Sequence, residues 1–237
     1  MRDPYLYEDV DVLRNYENIK DEALLRKAEA DITNCAMASI YNRKYEKFNT
    51  ATLQDIHRTI FGQLYDWAGE FRSIHICKSE AVLGGMSVNY SYPAGIKKEL
   101  NAAMKELAAL KRNGNNDRDI AFRMVRIIAH IWQIRPFREG NTRTVIVFAV
   151  LFAKSLGFEV NHELFRLHSS YVRNSLVMAS LGYFSEYEHF EKIFFDAIFP
   201  DNTLPQTAMP VEEAKYEKIN NYDVRTYKEQ PHKYSEN

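Results

Sequence analysis

Apolar residues recur every three to four positions along most of this 237-residue chain. In segment 21–42, Leu24, Leu25, Ala28, Ile32, Ala36 and Ile40 keep that spacing. It is the signature of an amphipathic helix, with Asp21 placed to cap its start. The same rhythm predicts helices over Thr52–Tyr65, Pro93 to about Lys111, and Asp119–Ile134. Others follow from Asn141 or Thr142 to Leu156, over about 162–181, and over 185–198. Pro136 stops the fourth of these, because the residue before a proline avoids helical angles, and Gly157 ends the fifth. Between Phe71 and Tyr90 the rhythm changes to alternation on either side of Gly84 and Gly85. That change predicts a small β-hairpin over 72–90. The stretch DPYLYEDVDVLRNY reads as an ordered, irregular arm whose aromatic residues pack on the domain. From residue 200 to 237, prolines and charges replace large aliphatics, which suggests a loosely attached tail. Trp67, Trp132 and His57 read as core residues, and His130 as a core or surface histidine. The expected fold class is all-α with one hairpin.

Composition narrows the function. Apolar residues make up 46% and charged residues 27%, with a formal net charge of -1. Such a balance carries no nucleic-acid footprint and gives no reason to expect a membrane surface as partner. The longest apolar run, VIVFAVLFA, is too short to span a bilayer. Cys35 and Cys77 have no metal-binding or disulfide spacing. With no secretory pattern at the N-terminus, a cytoplasmic location is expected.

The chemistry gathers in IRPFREGNTRT, residues 134–144, between two long apolar helices. Gly140 permits a sharp turn, and the following helix starts at Asn141 or Thr142. A helix start presents unpaired N–H groups and the positive end of a dipole, so it binds anions. Arg138 and Arg143 add cations that can pair with phosphate oxygens. Glu139 supplies a hard oxygen suited to Mg²⁺ shared with phosphates, and Phe137 is the apolar peg that pins the loop. Together these predict a Mg²⁺–diphosphate site, without a Walker loop or a dinucleotide fingerprint anywhere in the chain.

PFREGNTR resembles the core motif of Fic domains, usually His-Pro-Phe-x-(Asp/Glu)-Gly-Asn-(Gly/Lys)-Arg-x-x-Arg. The resemblance extends to the N-terminal arm and to IHRTIFGQLYDWAGEFR, and so covers most of the chain. It implies a Fic-type helical domain over 1–199, with arm and first helices in 1–65, a hairpin flap in 72–90 and core helices in 93–199. Residues 200–237 would be an appendage. It also implies a protein adenylyltransferase that moves AMP from Mg-ATP to a hydroxyl of a target protein, with pyrophosphate leaving. By that resemblance Glu139 would hold Mg²⁺ and Asn141 the α-phosphate. The backbone at Gly140 would form an anion hole, and Arg143 would meet the β-phosphate. The nucleotide site would further include Phe137, Arg138, Thr142 and the flap residue Lys78, for which a solvated charge is an equal reading. The flap would clamp a target protein as an added strand, and tyrosines of the arm and tail are candidates for self-modification.

Three positions depart from the family pattern. Arg135 stands where the catalytic histidine belongs, and an arginine cannot take a proton from a hydroxyl. Thr142 replaces the small residue of the motif. Ile146 replaces the second arginine, and neither helix 21–42 nor the C-terminal helices hold a convincing Ser/Thr-x-x-x-Glu pattern that would grip such an arginine, Thr33 being followed by Met37 in the family-like place. The expectation is an impaired transferase that binds Mg-ATP and is not inhibited by that device. The alternative is a nucleotide-regulated binding module, and a third reading is transfer of another group, such as phosphate or phosphocholine.

Overall fold

Asp21 and Asn49 set the first two helices. The Asp21 carboxylate accepts from the N–H of Leu24 and the Asn49 side chain from that of Thr52, so each satisfies a donor the helix start would leave unpaired. Helix α1 then runs Glu22–Ile40 and α2 Thr50–Phe61. The computed structural model describes residues 2–199 and a two-residue strand, Gln230–Pro231. It continues with α3 Pro93–Ala108, α4 Asp117–Ile134 and α5 Asn141–Ser155. Three shorter helices follow, α6 Glu163–Leu167, α7 Ser169–Met178 and α8 Glu188–Ile198. The continuous helix expected over 162–181 is broken at His168, whose φ of -110° and ψ of 39° leave the helical region.

Helix α5 is the central rod. Every residue from Thr144 to Ala153 is buried, which explains why its sequence is apolar all round rather than striped. Helices α2 and α4 pack on it, with α1 and α3 against α2, and α3, α7 and α8 against α4. Trp132 on α4 is fully buried, and its indole N–H donates to Thr142 at the start of α5, 2.9 Å away. Trp67 is also buried. The fold class is all-α, as expected.

The hairpin takes a different form. Within 72–90 there is one two-residue strand, β1 (Ile76–Cys77), and then a 3-10 turn at Ala81–Leu83. Gly84, at φ 63°, closes that turn, and Gly85 donates to the carbonyl of Glu80. The backbone groups a return strand would need are engaged in this turn. Lys78 N–H likewise donates to the Ser87 hydroxyl rather than to a strand partner. The partner of β1 is β2 (Gln230–Pro231), antiparallel, with Ile76 opposite Pro231 and Cys77 opposite Gln230. The other calls on 200–237, a loose appendage with a solvated 211–219 face and target tyrosines, lie outside the described residues.

Candidate active site

Residues 135–140 join α4 to α5, and each end is set by a left-handed residue. Arg135 ends α4 at φ 49°, and Gly140 precedes α5 at φ 77°. At Gly140 a Cβ would come within 2.2 Å of the Phe61 ring, so only glycine fits.

The carbonyls and amides of the loop are bound one by one. The buried Arg72 guanidinium donates to the carbonyls of Ile134 and Arg135, at 3.3 and 2.7 Å. It also donates to Ile74 and Ser91, one at each side of the flap. The Arg72 N–H takes the carbonyl of Pro136. Asn141 accepts from the Phe137 N–H at 2.9 Å and returns a bond to its carbonyl at 2.7 Å. This leaves one side-chain N–H of Asn141 for a ligand. His57 completes the set. Gly69 N–H donates to Nδ1 at 2.8 Å, so Nδ1 carries the lone pair and Nε2–H donates to the Glu139 carbonyl at 3.0 Å. Its ring stacks on Phe137, centroids 3.9 Å apart. Burial pushes the His57 pKa down to about 3, against the bond to the Glu139 carbonyl, which raises it.

The three arginines of the motif do not converge. Arg138 is buried, and its Nε and Nη2 both meet one carboxylate oxygen, Oδ2, of Asp3 in the N-terminal arm, at 2.8 and 2.7 Å. Arg143 is held from α1, donating to Glu29 and to Thr33, the latter at 2.9 Å, while Tyr65 donates to the same Glu29 carboxylate. Its guanidinium covers the Phe61 ring. Arg135 alone faces the flap, over the rings of Tyr90 and Trp132 at 4.8 and 5.5 Å. Ile146 is packed in the core. His130 is exposed on α4.

Glu139 is half-buried, with Oε1 accepting from its neighbour's N–H at Gly140, 2.8 Å away. Burial opposes its ionisation, yet Lys78 and Arg135 outweigh burial and hold its carboxyl well below the usual range. Lys78 and Glu80 are buried, against the reading of a solvated flap charge. Glu80 accepts from Arg173 on α7 at 2.6 Å and from the Tyr90 hydroxyl at 3.1 Å. The loop therefore offers a fixed carboxylate, a helix start and a cationic flap wall.

Sequence reasoning missed Arg72, Arg173, Asp3 and Glu29. Arg173, Asp3 and Glu29 meet charges 93 to 135 residues away, and Arg72 meets backbone carbonyls up to 63 residues away. No local spacing signals such pairs. His57 was recognised as structural, but not as a ligand of the loop.

The model of the Fic/DOC family matches residues 47–153. The Probable protein adenylyltransferase y4lH of Sinorhizobium fredii is 31% identical over 163 residues, 68% of this chain and 80% of that protein. Protein adenylyltransferase VbhT of Bartonella schoenbuchensis is 29% identical over 194 residues, 76% of this chain. The chain spans only 38% of VbhT's length. Among solved structures, the BepC protein of Bartonella tribocorum with bound AMPPNP superposes with a TM-score of 0.69. It shares 20% identity, over 81% of this chain and 95% of that one, a likeness of fold. No described helix is long and apolar enough to cross a membrane. The loop, the helices that carry it and these relatives together make the chain a member of the Fic/DOC family.

Proposed function

We propose that this chain holds Mg-ATP at the start of α5 and is an impaired Fic-type protein adenylyltransferase. In AMP transfer, the oxygen of a target hydroxyl bonds to the α-phosphorus, the bond to pyrophosphate breaks, and the hydroxyl proton must go to a base. The observation that carries the reading is Arg135. It occupies the base position on the motif loop, buried against Tyr90 and Trp132, and cannot accept that proton. General-base assistance is worth about 10²–10⁴-fold, so residual transfer would be slower by that order.

The residues present fit the nucleotide. Gly140, with the Phe61 ring packed where a side chain would stand, sets the left-handed turn from which the helix start follows. Asn141 has one N–H left for an α-phosphate oxygen, and Phe137 and Arg138 anchor the loop from behind. Glu139, kept ionised by its neighbours, offers one oxygen ligand to Mg²⁺. Among the described residues no group of three or more metal-ligating side chains occurs, so phosphates and water would supply the other ligands. Mg²⁺, when bound there, would neutralise phosphate charge. BepC, which superposes on this chain, was solved with AMPPNP, and y4lH and VbhT carry the name adenylyltransferase.

A second reading, a nucleotide-regulated binding module, is favoured by one observation. The edge of β1 takes an extended segment, Gln230–Pro231, as an added strand. Label transfer from α-labelled ATP with Mg²⁺ separates the two. Protein labelled by the Arg135→His variant and far less by the parent chain is the expected result. Histidine also suits the left-handed backbone at 135 better than most residues. Failure of both proteins to label anything would refute the transferase reading and leave the module.

A further inference from the structure

Between the N-terminal arm and the link after α2 lies a cleft of about 290 Å³. Pro4, Tyr5 and Arg14 line it from the arm, and Asp66, Trp67 and Ser73 from the link and the start of the flap. Its aromatic part is an edge-to-face pair, Tyr5 with Trp67, ring centroids 5.4 Å apart. Ser73 fixes Tyr5 there, its N–H donating to the Tyr5 hydroxyl at 3.0 Å. The charged groups of the cleft are unused. Arg14 and Asp66 are exposed and of opposite sign, yet they form no ion pair with each other, and among the described residues neither side chain has any partner. Trp67 is 7% exposed, and its indole N–H has no acceptor among the described residues. The volume is at the lower end for a small-molecule site, about 300 Å³.

Opposite charges that share a cleft with an aromatic pair select a ligand carrying both counter-charges. A carboxylate would meet the Arg14 guanidinium in forked geometry. An ammonium would meet Asp66, and an apolar side chain would lie against Tyr5 and Trp67. A molecule with one charge would answer only one of the two groups. We propose that this cleft binds a small zwitterion with an apolar side chain, a free amino acid or a dipeptide. The cleft is linked to the motif loop through Asp3. The Tyr5 N–H donates to Asp3 Oδ1 at 2.9 Å, and Asp3 Oδ2 holds Arg138 at 2.7 Å. A ligand bridging arm and link therefore pins the arm where Asp3 meets the loop. The site is separate from the nucleotide reading and does not depend on it.

The test is calorimetric titration of the full chain with phenylalanine, with glycyl-phenylalanine, and with two singly charged analogues, phenylpropionate and phenylethylamine. So small a ligand in an open cleft should bind in about the millimolar range. A charged hydrogen bond lost corresponds to about tenfold in affinity. Each analogue should therefore bind about tenfold more weakly than the tighter zwitterion, and which zwitterion is tighter identifies the source of the ligand. Arg14→Gln should weaken the zwitterion by about that factor and leave phenylethylamine unchanged. Asp66→Asn should weaken it likewise and leave phenylpropionate unchanged. Both residues are exposed, and thermal melting verifies that the variants are folded. Saturating zwitterion should also slow protease cleavage of the arm. A parent chain that binds neither zwitterion, analogues that bind as tightly, or variants that match the parent would overturn the assignment. Arm cleavage unchanged at saturation would place the ligand elsewhere and overturn it as well.

Discussion

Arg72 is where the structure makes its sharpest claim about stability. It is 2% exposed, and among the described residues no carboxylate pairs with it. Its guanidinium donates to four carbonyls, those of Ile74, Ser91, Ile134 and Arg135. Arg72→Met would leave those carbonyls without their charged donor. A buried group so orphaned costs about 1–3 kcal/mol. Partial rehydration at the Ile74 and Ser91 ends would reduce the total, so a loss of about 3–5 kcal/mol is expected. In a domain of this size that is a drop of about 10 °C in melting temperature. Arg72→Lys should recover little, because an ammonium cannot span carbonyls on both sides of the flap and on the loop. Urea unfolding followed by circular dichroism measures the loss. Arg58→Met is the control, since Arg58 is 52% exposed and meets Glu70 only at 3.8 Å, a pair worth under about 1 kcal/mol. If Arg72→Met cost no more than Arg58→Met, the idea that Arg72 holds flap and loop together would be wrong.

Gly140→Ala sets a methyl 2.2 Å from the Phe61 ring in a left-handed backbone, and should cost about 2–4 kcal/mol and abolish nucleotide binding by calorimetry. Asp3→Asn breaks the buried pair with Arg138 and should cost about 3 kcal/mol in the same unfolding assay, with protease cleavage of the arm as a second readout. His57 has a folded pKa of about 3 against roughly 6.5 unfolded, so the unfolded chain binds the extra proton between those values. Its stabilisation is complete above about pH 6.5 and falls as pH drops towards 3, by a few kcal/mol; unfolding at stepped pH should show this slope, and His57→Gln should flatten it. Glu29→Gln frees Arg143 from its carboxylate and should tighten ATP binding up to about tenfold, whereas unchanged binding would mean that Arg143 is only a strut between α1 and α5.

How much was legible follows from the range of the forces involved. Helices α1 to α5 were readable because their apolar spacing and their caps, Asp21 among them, are local properties. The break at His168 was not, since the apolar pattern runs straight through it. The loop's identity was readable from residue types alone. Its internal wiring was not, because a guanidinium looks the same in sequence whether it will meet phosphate, carbonyl or carboxylate. Arg138 and Arg143 were read as phosphate ligands from their place in the motif, yet the structure turns them to Asp3 and Glu29. The hairpin failed for a related reason. Alternation on both sides of Gly84-Gly85 is compatible with a strand pair, but the 3-10 turn and the Ser87 hydroxyl satisfy the same donors within the loop.

The departures from the family motif are connected through charge. In the proposed nucleotide site, isoleucine at 146 would leave α5 short of one phosphate cation, and Glu29 already engages a second, Arg143. A site in that condition would bind polyphosphate weakly unless cations came from elsewhere. Arg135 lies over Tyr90 and Trp132, and Arg173 holds the flap turn through its bond to Glu80. On the proposed function, an arginine at 135 would remove a base and add a positive charge in one substitution. The two effects separate experimentally: Arg135→His should raise transfer while lowering affinity for ATP, because the imidazole is neutral for most of its population above pH 6.5 and offers less charge. A variant that gained transfer and lost no affinity would show Arg135 to be only a missing base.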